Sequence, residues 1–226
     1  MRLSNGPARS LSEIVYDVSG GSVLSDRSAF QVLASSFPEP PSGTGIKGRE
    51  TAVLAGGCFW GTEAVFEELK GVYDVESGYA GGTKATANYD LVSEGRTGHA
   101  ESIKITYDPA EISYGQLLKI FFAVAHDPTQ LNKQGNDVGT QYRSAIFYKD
   151  DEQKKVAEAY IQELDKAKVF SRRIVTQVVP LQEFYKAEKY HQDFVKRNPR
   201  QAYVVAAELP KLRNLKAQYP EMLKAK

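Results

Sequence analysis

Two stretches, GVYDVESGYAGG (71–82) and HAESIKITYDP (99–109), alternate apolar and polar residues with a period of two, whereas SYGQLLKIFFAVAH (113–126) repeats its apolar residues at helical spacing. A chain that mixes these periods has to pack helices on a sheet. Further along, SAIFYKD (144–150) and RIVTQVVP (173–180) read as strands, and DEQKKVAEAYIQELDKAKV (151–169) and EFYKAEKYHQDFVKRN (183–198) as helices. The elements intermix without regular βαβ spacing, which predicts an α+β fold: a two-layer sandwich of packed helices on a mainly antiparallel sheet. One cysteine in 226 residues rules out an intramolecular disulfide, so burial of an apolar fraction of 42% has to hold the core.

The segment PEPPSGTGIKG (38–48) packs three prolines and three glycines into eleven positions and reads as a linker. It divides an N-terminal extension, 1–49, from a catalytic unit expected over 50–226. Lys plus Arg at 29 against Asp plus Glu at 28 leaves a net charge of +1, which offers no electrostatic grip for nucleic acid or a membrane surface. No apolar run reaches the roughly 18 residues of a membrane span. The N-terminus lacks the apolar stretch of a secretory signal, so the cytoplasm is the default compartment, with a trimmed exported form equally consistent. A soluble monomer acting on a small or neutral partner is expected.

The sole thiol, Cys58, lies in AGGCFWGTE (55–63), where the strand-like TAVLAG runs through paired glycines into a helix expected from about Cys58 to Leu69. Dipoles at a helix start stabilise a thiolate, often to a pKa of about 3.5–7.5, which would make Cys58 a nucleophile at neutral pH. A lone cysteine is also commonly an inert buried hydrophobe. Among chemical readings, a papain-like peptidase pairs Cys58 with His191, 133 positions downstream, but lacks that family's second cysteine before the nucleophile. A zinc deaminase, suggested by His99 and Glu101, fails for want of a Cys-x-x-Cys pair. Sulfur redox chemistry, in which the thiolate attacks an oxidised sulfur and becomes a sulfenic acid, remains beside the peptidase.

The blocks GGCFWGTE, GYAGG, TGHAE, DPTQLNKQGNDVGTQYRSAIFY and FYKAEKYHQDF, in this order over residues 50–212, resemble the A-type peptide methionine sulfoxide reductases. The resemblance implies a ferredoxin-like core and no cofactor or metal. It implies Cys58 as nucleophile and Glu101 as the proton donor to the sulfoxide oxygen. By the same resemblance, the hydroxyls of Tyr79 and Tyr142 hydrogen-bond that oxygen, Asp137 helps to bind substrate, and Phe59 and Trp60 wall a pocket for the methyl group. No proton-transfer role falls to His99 or His191, and His126 is expected to be a loop hydrogen-bonder. The polar loop 126–143 is expected to carry function.

Many relatives carry a further cysteine directly after the tyrosine of an NP…Y segment, where this chain has Val204 in NPRQAYVV. An oxidised Cys58 would then be reduced by an external thiol, either thioredoxin or glutathione with glutaredoxin. The resemblance further implies action on the S epimer of methionine sulfoxide, free or in proteins, as repair of oxidative damage. A non-catalytic binder of oxidised methionine is the reading from outside enzymology.

Overall fold

The computed structural model describes residues 32–41 and 48–225. In chain order the regular elements are β1 (Glu50–Ala55), α1 (Phe59–Glu67), β2 (Val72–Ala80), α2 (Tyr89–Ser93), β3 (Ala100–Tyr107) and α3 (Tyr114–Ile120). There follow β4 (Lys133–Gln134), β5 (Asp137–Val138), β6 (Ala145–Tyr148), α4 (Asp151–Lys166), β7 (Gln177–Pro180), β8 (Phe184–Lys186), α5 (Phe194–Arg197) and α6 (Leu209–Gln218).

Six strands form one sheet in the order β7-β6-β1-β3-β2-β8, antiparallel except for the β6–β7 pair. That pair is parallel because the long helix α4 intervenes, and a helical crossover returns the chain in the same direction. The α+β expectation with a mainly antiparallel sheet is met. Register follows side-chain parity: Leu54 lies opposite Ile103 on one side and Ile146 on the other, so all three point to one face. There they join Phe66 of α1 and Leu69 just beyond it, Leu117 and Leu118 of α3, and Tyr160 and Leu164 of α4, none more than 1% exposed. Each such side chain is worth about 1.5–3 kcal/mol over an exposed one. The opposite face, with Val53, Ala55, Ala80, Ala100, Ala145 and Phe147, is covered by Val179, Leu181 and Phe184.

Local signals start the helices. Ser113 and Gln116 form a reciprocal capping box at α3, and the Asp150 carboxylate accepts from the Gln153 N–H at 2.8 Å to cap α4. Beyond α3 the chain widens into a π-type turn at Phe121–Ala125 before leaving for the site.

Two sequence expectations are corrected. The strand expected over 173–180 is confined to Gln177–Pro180. The helix expected over 183–198 is instead strand β8, then turns, then the short α5. Tertiary hydrogen bonds override its helical spacing: Phe184–Lys186 pairs with the free edge of β2, and the Gln192 amide bonds both the N–H and the carbonyl of Ser77 at 3.0 and 2.9 Å.

Of the expected N-terminal extension, residues 1–31 and 42–47 lie outside the described residues. The stretch 33–41 packs across the helical layer. Phe37 is buried, its ring edge-on to Phe170 at 5.9 Å, and the Tyr160 hydroxyl donates to the Pro38 carbonyl at 3.2 Å. Lys119 pairs with Glu39 at 2.6 Å, and the Ala34 N–H donates to the Gln218 side chain at the end of α6.

Candidate active site

Strand β1 leads into Gly56 and Gly57, and Cys58 is the N-cap of α1. Gly57 takes φ +81°, and a Cβ there would run into the Gln134 side chain, so only glycine permits this sharp strand-to-helix turn. The turn delivers Cys58, Phe59 and Trp60 to the wall of a cavity of about 270 Å3. Glu101, Tyr89, Asp137, Tyr142 and the C-terminal pair Gln201 and Tyr203 complete the lining.

Glu101 sits on β3 directly opposite Tyr79 of β2, and its Oε2 accepts the Phe59 N–H at 3.0 Å. One carboxylate oxygen therefore fixes the start of α1, and the acid and the thiol are held to a common frame. The side chain is 3% exposed. Burial, reinforced by the charges of Asp137 and Glu208 and opposed by the Phe59 N–H, pushes its carboxyl up to about 8. Glu101 thus holds a proton at neutral pH, as a general acid must.

The sequence-based expectation for Cys58 fares differently. The residue is at the helix start, but it is buried, with Glu101 and Glu208 near its sulfur, and burial pushes the thiol well above its ordinary range. The Trp60 N–H and Lys211 pull the other way and do not offset this. Desolvation of the buried sulfur outweighs a dipole worth about 1 kcal/mol. In the free site Cys58 is a thiol, not a standing thiolate.

Asp137 is presented by the β4–β5 hairpin, which Gln134 ties down through the backbone of Asp127, and its Oδ2 accepts from the Tyr203 hydroxyl at 2.5 Å. Tyr142 ends a turn anchored to the segment after α2, where Thr140 donates to the Gly95 carbonyl at 2.8 Å and Gln141 to the Ser93 carbonyl at 3.1 Å. Burial and the nearby Glu101 keep the Tyr142 phenol protonated. Trp60 stacks on Phe194 at 3.7 Å, its indole N–H donating to His191 Nδ1 at 3.0 Å.

Tyr79 is the correction among the site residues. It is fully buried, lies outside the cavity lining, and spends its hydroxyl on Glu188 Oε2 at 2.8 Å. Tyr89, absent from the sequence-based set, lines the cavity in its place. Glu188 links the two: its second oxygen accepts the Tyr89 N–H at 2.9 Å and so sets the start of α2. Two tyrosines 10 positions apart, one in a strand and one in a short helix, carry no local signal of which faces the cavity. Gln201 and Tyr203 were likewise missed, because nothing in NPRQAYVV indicates that the C-terminal segment closes the site.

The histidines have structural roles. His191 is sealed behind Trp60 with Nδ1 occupied, which removes it as a base for Cys58 and with it the peptidase reading. His126, expected as a loop hydrogen-bonder, donates from Nδ1 to the Phe121 carbonyl and accepts from Ser144 at Nε2, and burial pushes it down to about 4. His99 accepts the Gly82 N–H and donates to the Thr83 carbonyl. Among the described residues no group of three or more His, Cys, Asp or Glu side chains could hold a metal ion, and no helix is long and apolar enough to cross a membrane.

Comparison with known proteins places the chain in a family. The sequence pattern of the family described as peptide methionine sulfoxide reductase matches residues 50–223. The chain is similar to peptide methionine sulfoxide reductase MsrA 2 of Synechocystis, 60% identical over 194 residues that cover 84% of this chain and 91% of that one. It is also similar to the MsrA of Deinococcus radiodurans, 51% identical over 78% of this chain and 85% of the relative. Among solved structures, reduced Mxr1 of Saccharomyces cerevisiae superposes with a TM-score of 0.62 at 31% identity, over 75% of this chain and 94% of the other. Methionine sulfoxide reductase A of Corynebacterium diphtheriae gives a TM-score of 0.58 at 33% identity, over 79% and 92%. With a thiol, a proton-bearing acid and their supporting strands all inside the matched span, the chain belongs to the peptide methionine sulfoxide reductase family, whose members are oxidoreductases that return methionine sulfoxide to methionine.

Proposed function

We propose that this chain reduces the S epimer of methionine sulfoxide, free or within proteins, by a sulfenic acid route recycled by an external thiol. The observation that carries the reading is the sharing of one cavity by the only thiol in the chain and a carboxyl that keeps its proton to about pH 8.

The substrate's methyl group packs against Phe59 and Trp60, and its oxygen meets Glu101 with the phenols of Tyr89 and Tyr142. Glu101 gives its proton to that oxygen as the Cys58 sulfur attacks the sulfoxide sulfur. The thiol's proton passes to the emptied carboxylate. The two sulfurs are then bonded; the protonated oxygen moves to the Cys58 sulfur as this sulfur–sulfur bond and the substrate's sulfur–oxygen bond break, so methionine leaves as the thioether and Cys58 is left as a sulfenic acid. Methionine gains the two electrons that the cysteine loses. A bound sulfoxide that supplies a proton acceptor offsets the burial that keeps the thiol protonated in the free site, so the thiolate forms only when it is needed.

Recycling has to come from outside. Val204 is fully buried at the place where many relatives carry a resolving cysteine, and the chain has no second thiol. Thioredoxin, or glutathione with glutaredoxin, then condenses with the sulfenic acid, releasing water, and a second thiol frees Cys58.

The decisive experiment supplies separate S and R epimers with dithiothreitol. Selective loss of the S form over many turnovers is expected, and no loss, or equal loss of both, overturns the proposal. After one turnover without reductant, mass spectrometry should find one added oxygen on Cys58. A non-catalytic binder would show neither.

A further inference from the structure

Behind the catalytic helix lies a charged pair that the mechanism above does not use. Glu208, in the π-type turn that leads into α6, is 1% exposed. Its carboxylate rests on the first turn of α1 at Gly61, three residues past Cys58, where a Cβ would collide with it. The Lys211 ammonium lies 2.8 Å from Oε2, yet neither carboxylate oxygen receives a directed hydrogen bond. A buried carboxylate costs several kcal/mol to desolvate, and one left with an ion pair alone is costly to keep for packing. It also sits at the positive end of a helix dipole, next to the sulfur whose reactivity depends on that dipole.

We propose that Glu208, with Lys211 as its counter-ion, is a positioning residue that sets the charge behind α1 and so governs when Cys58 ionises. The reading rests on Cys58 being the reacting thiol. Other groups also face that sulfur: Glu101 from β3, Tyr89 from α2, Tyr142 from the turn before β6, and Tyr203 from the C-terminal segment. Glu208 and Lys211 reach it from α6 and the turn before it, against Gly61 of α1. Consistent with this placement, Glu208 raises both Cys58 and Glu101, and Lys211 lowers Cys58 by less. The pair therefore keeps the thiol and the acid loaded with protons until substrate arrives, and restrains oxidation of the resting cysteine.

Because Cys58 is the only thiol, alkylation by iodoacetamide across a pH series reads it alone and needs no sulfoxide. Glu208→Gln should lower the midpoint of alkylation by about one pH unit, a tenfold gain on the rising limb. Lys211→Met should raise it by a similar amount, and Glu208→Asp should leave it near the wild-type value. A role in packing alone would move the two charge variants in the same direction or not at all, and either result overturns the proposal. Should Glu208→Gln fail to fold, Lys211→Met decides by itself: a rise supports the pair, and an unmoved or lowered midpoint refutes it. Epimer reduction assayed on the same proteins reports separately on the activity, so a wild type that alkylates as expected but reduces no sulfoxide sinks only the proposed function.

Discussion

Cys58 and Glu101 both hold protons in the free site, and burial is the first cause for each. A residue that acts by donating a proton is sensitive to replacement by an isostere that cannot. Glu101→Gln, which keeps the acceptor for the Phe59 N–H, should slow the first turnover by about 10²–10⁴-fold, measured as methionine released in a single-turnover assay. The two tyrosines give a sharper contrast. Tyr89→Phe should lower the same rate by about tenfold to a hundredfold, the worth of a hydrogen bond to developing charge. Tyr79→Phe should leave the rate within a few-fold and cost about 1–2 kcal/mol of stability in denaturant unfolding, because it removes the hydroxyl's hydrogen bond to Glu188 Oε2. A larger rate effect at Tyr79 than at Tyr89 would reverse the assignment made from the cavity lining.

At the scale of elements, the strands and helices with clean periodicity were legible and those stabilised by distant partners were not. Strands β2 and β3 follow directly from alternation, and α4 from its 3.6-residue spacing. The segment 183–198 has helical spacing, but a sheet edge and the Ser77 backbone compete for it and win. The described part of the proline-rich stretch illustrates the same point. Its composition suggests a free tether, yet Phe37, just before it, inserts beside Phe170, and Pro38 and Glu39 bond to α4 and α3. Phe37→Ala should destabilise the fold by about 3 kcal/mol in chemical denaturation and leave the single-turnover rate unchanged. An unchanged unfolding midpoint would show that this packing adds nothing to the catalytic layer.

For the whole molecule, buried ionisable groups predict how stability varies with pH. Glu101 and Glu63 are both raised to about 8, so between about 4.5 and 8 the folded chain holds protons that the unfolded chain has released. Stability from these groups is present at low pH and is lost as pH rises through that window. His126 is lowered to about 4, so its contribution is lost as pH falls below about 6.5. Glu101→Gln removes one cost of high pH, and its melting temperature relative to wild type should climb from about pH 5 to about pH 8 and then level off. A constant difference across that range would mean that Glu101 ionises as freely in the folded chain as in the unfolded one.

The amino-acid sequence alone determined the mixed α+β architecture, the single thiol at a strand-to-helix turn and the lack of a second cysteine, since each is a matter of residue type, local period or count; the pairing of that thiol with Glu101 came only from the family resemblance. Only the tertiary structure decided that Tyr89 rather than Tyr79 faces the cavity, that the C-terminal segment closes it with Tyr203, and that Cys58 rests as a thiol. These depend on which groups lose their water when distant strands and helices meet, and desolvation is a property of the assembled surroundings that no short stretch of chain contains.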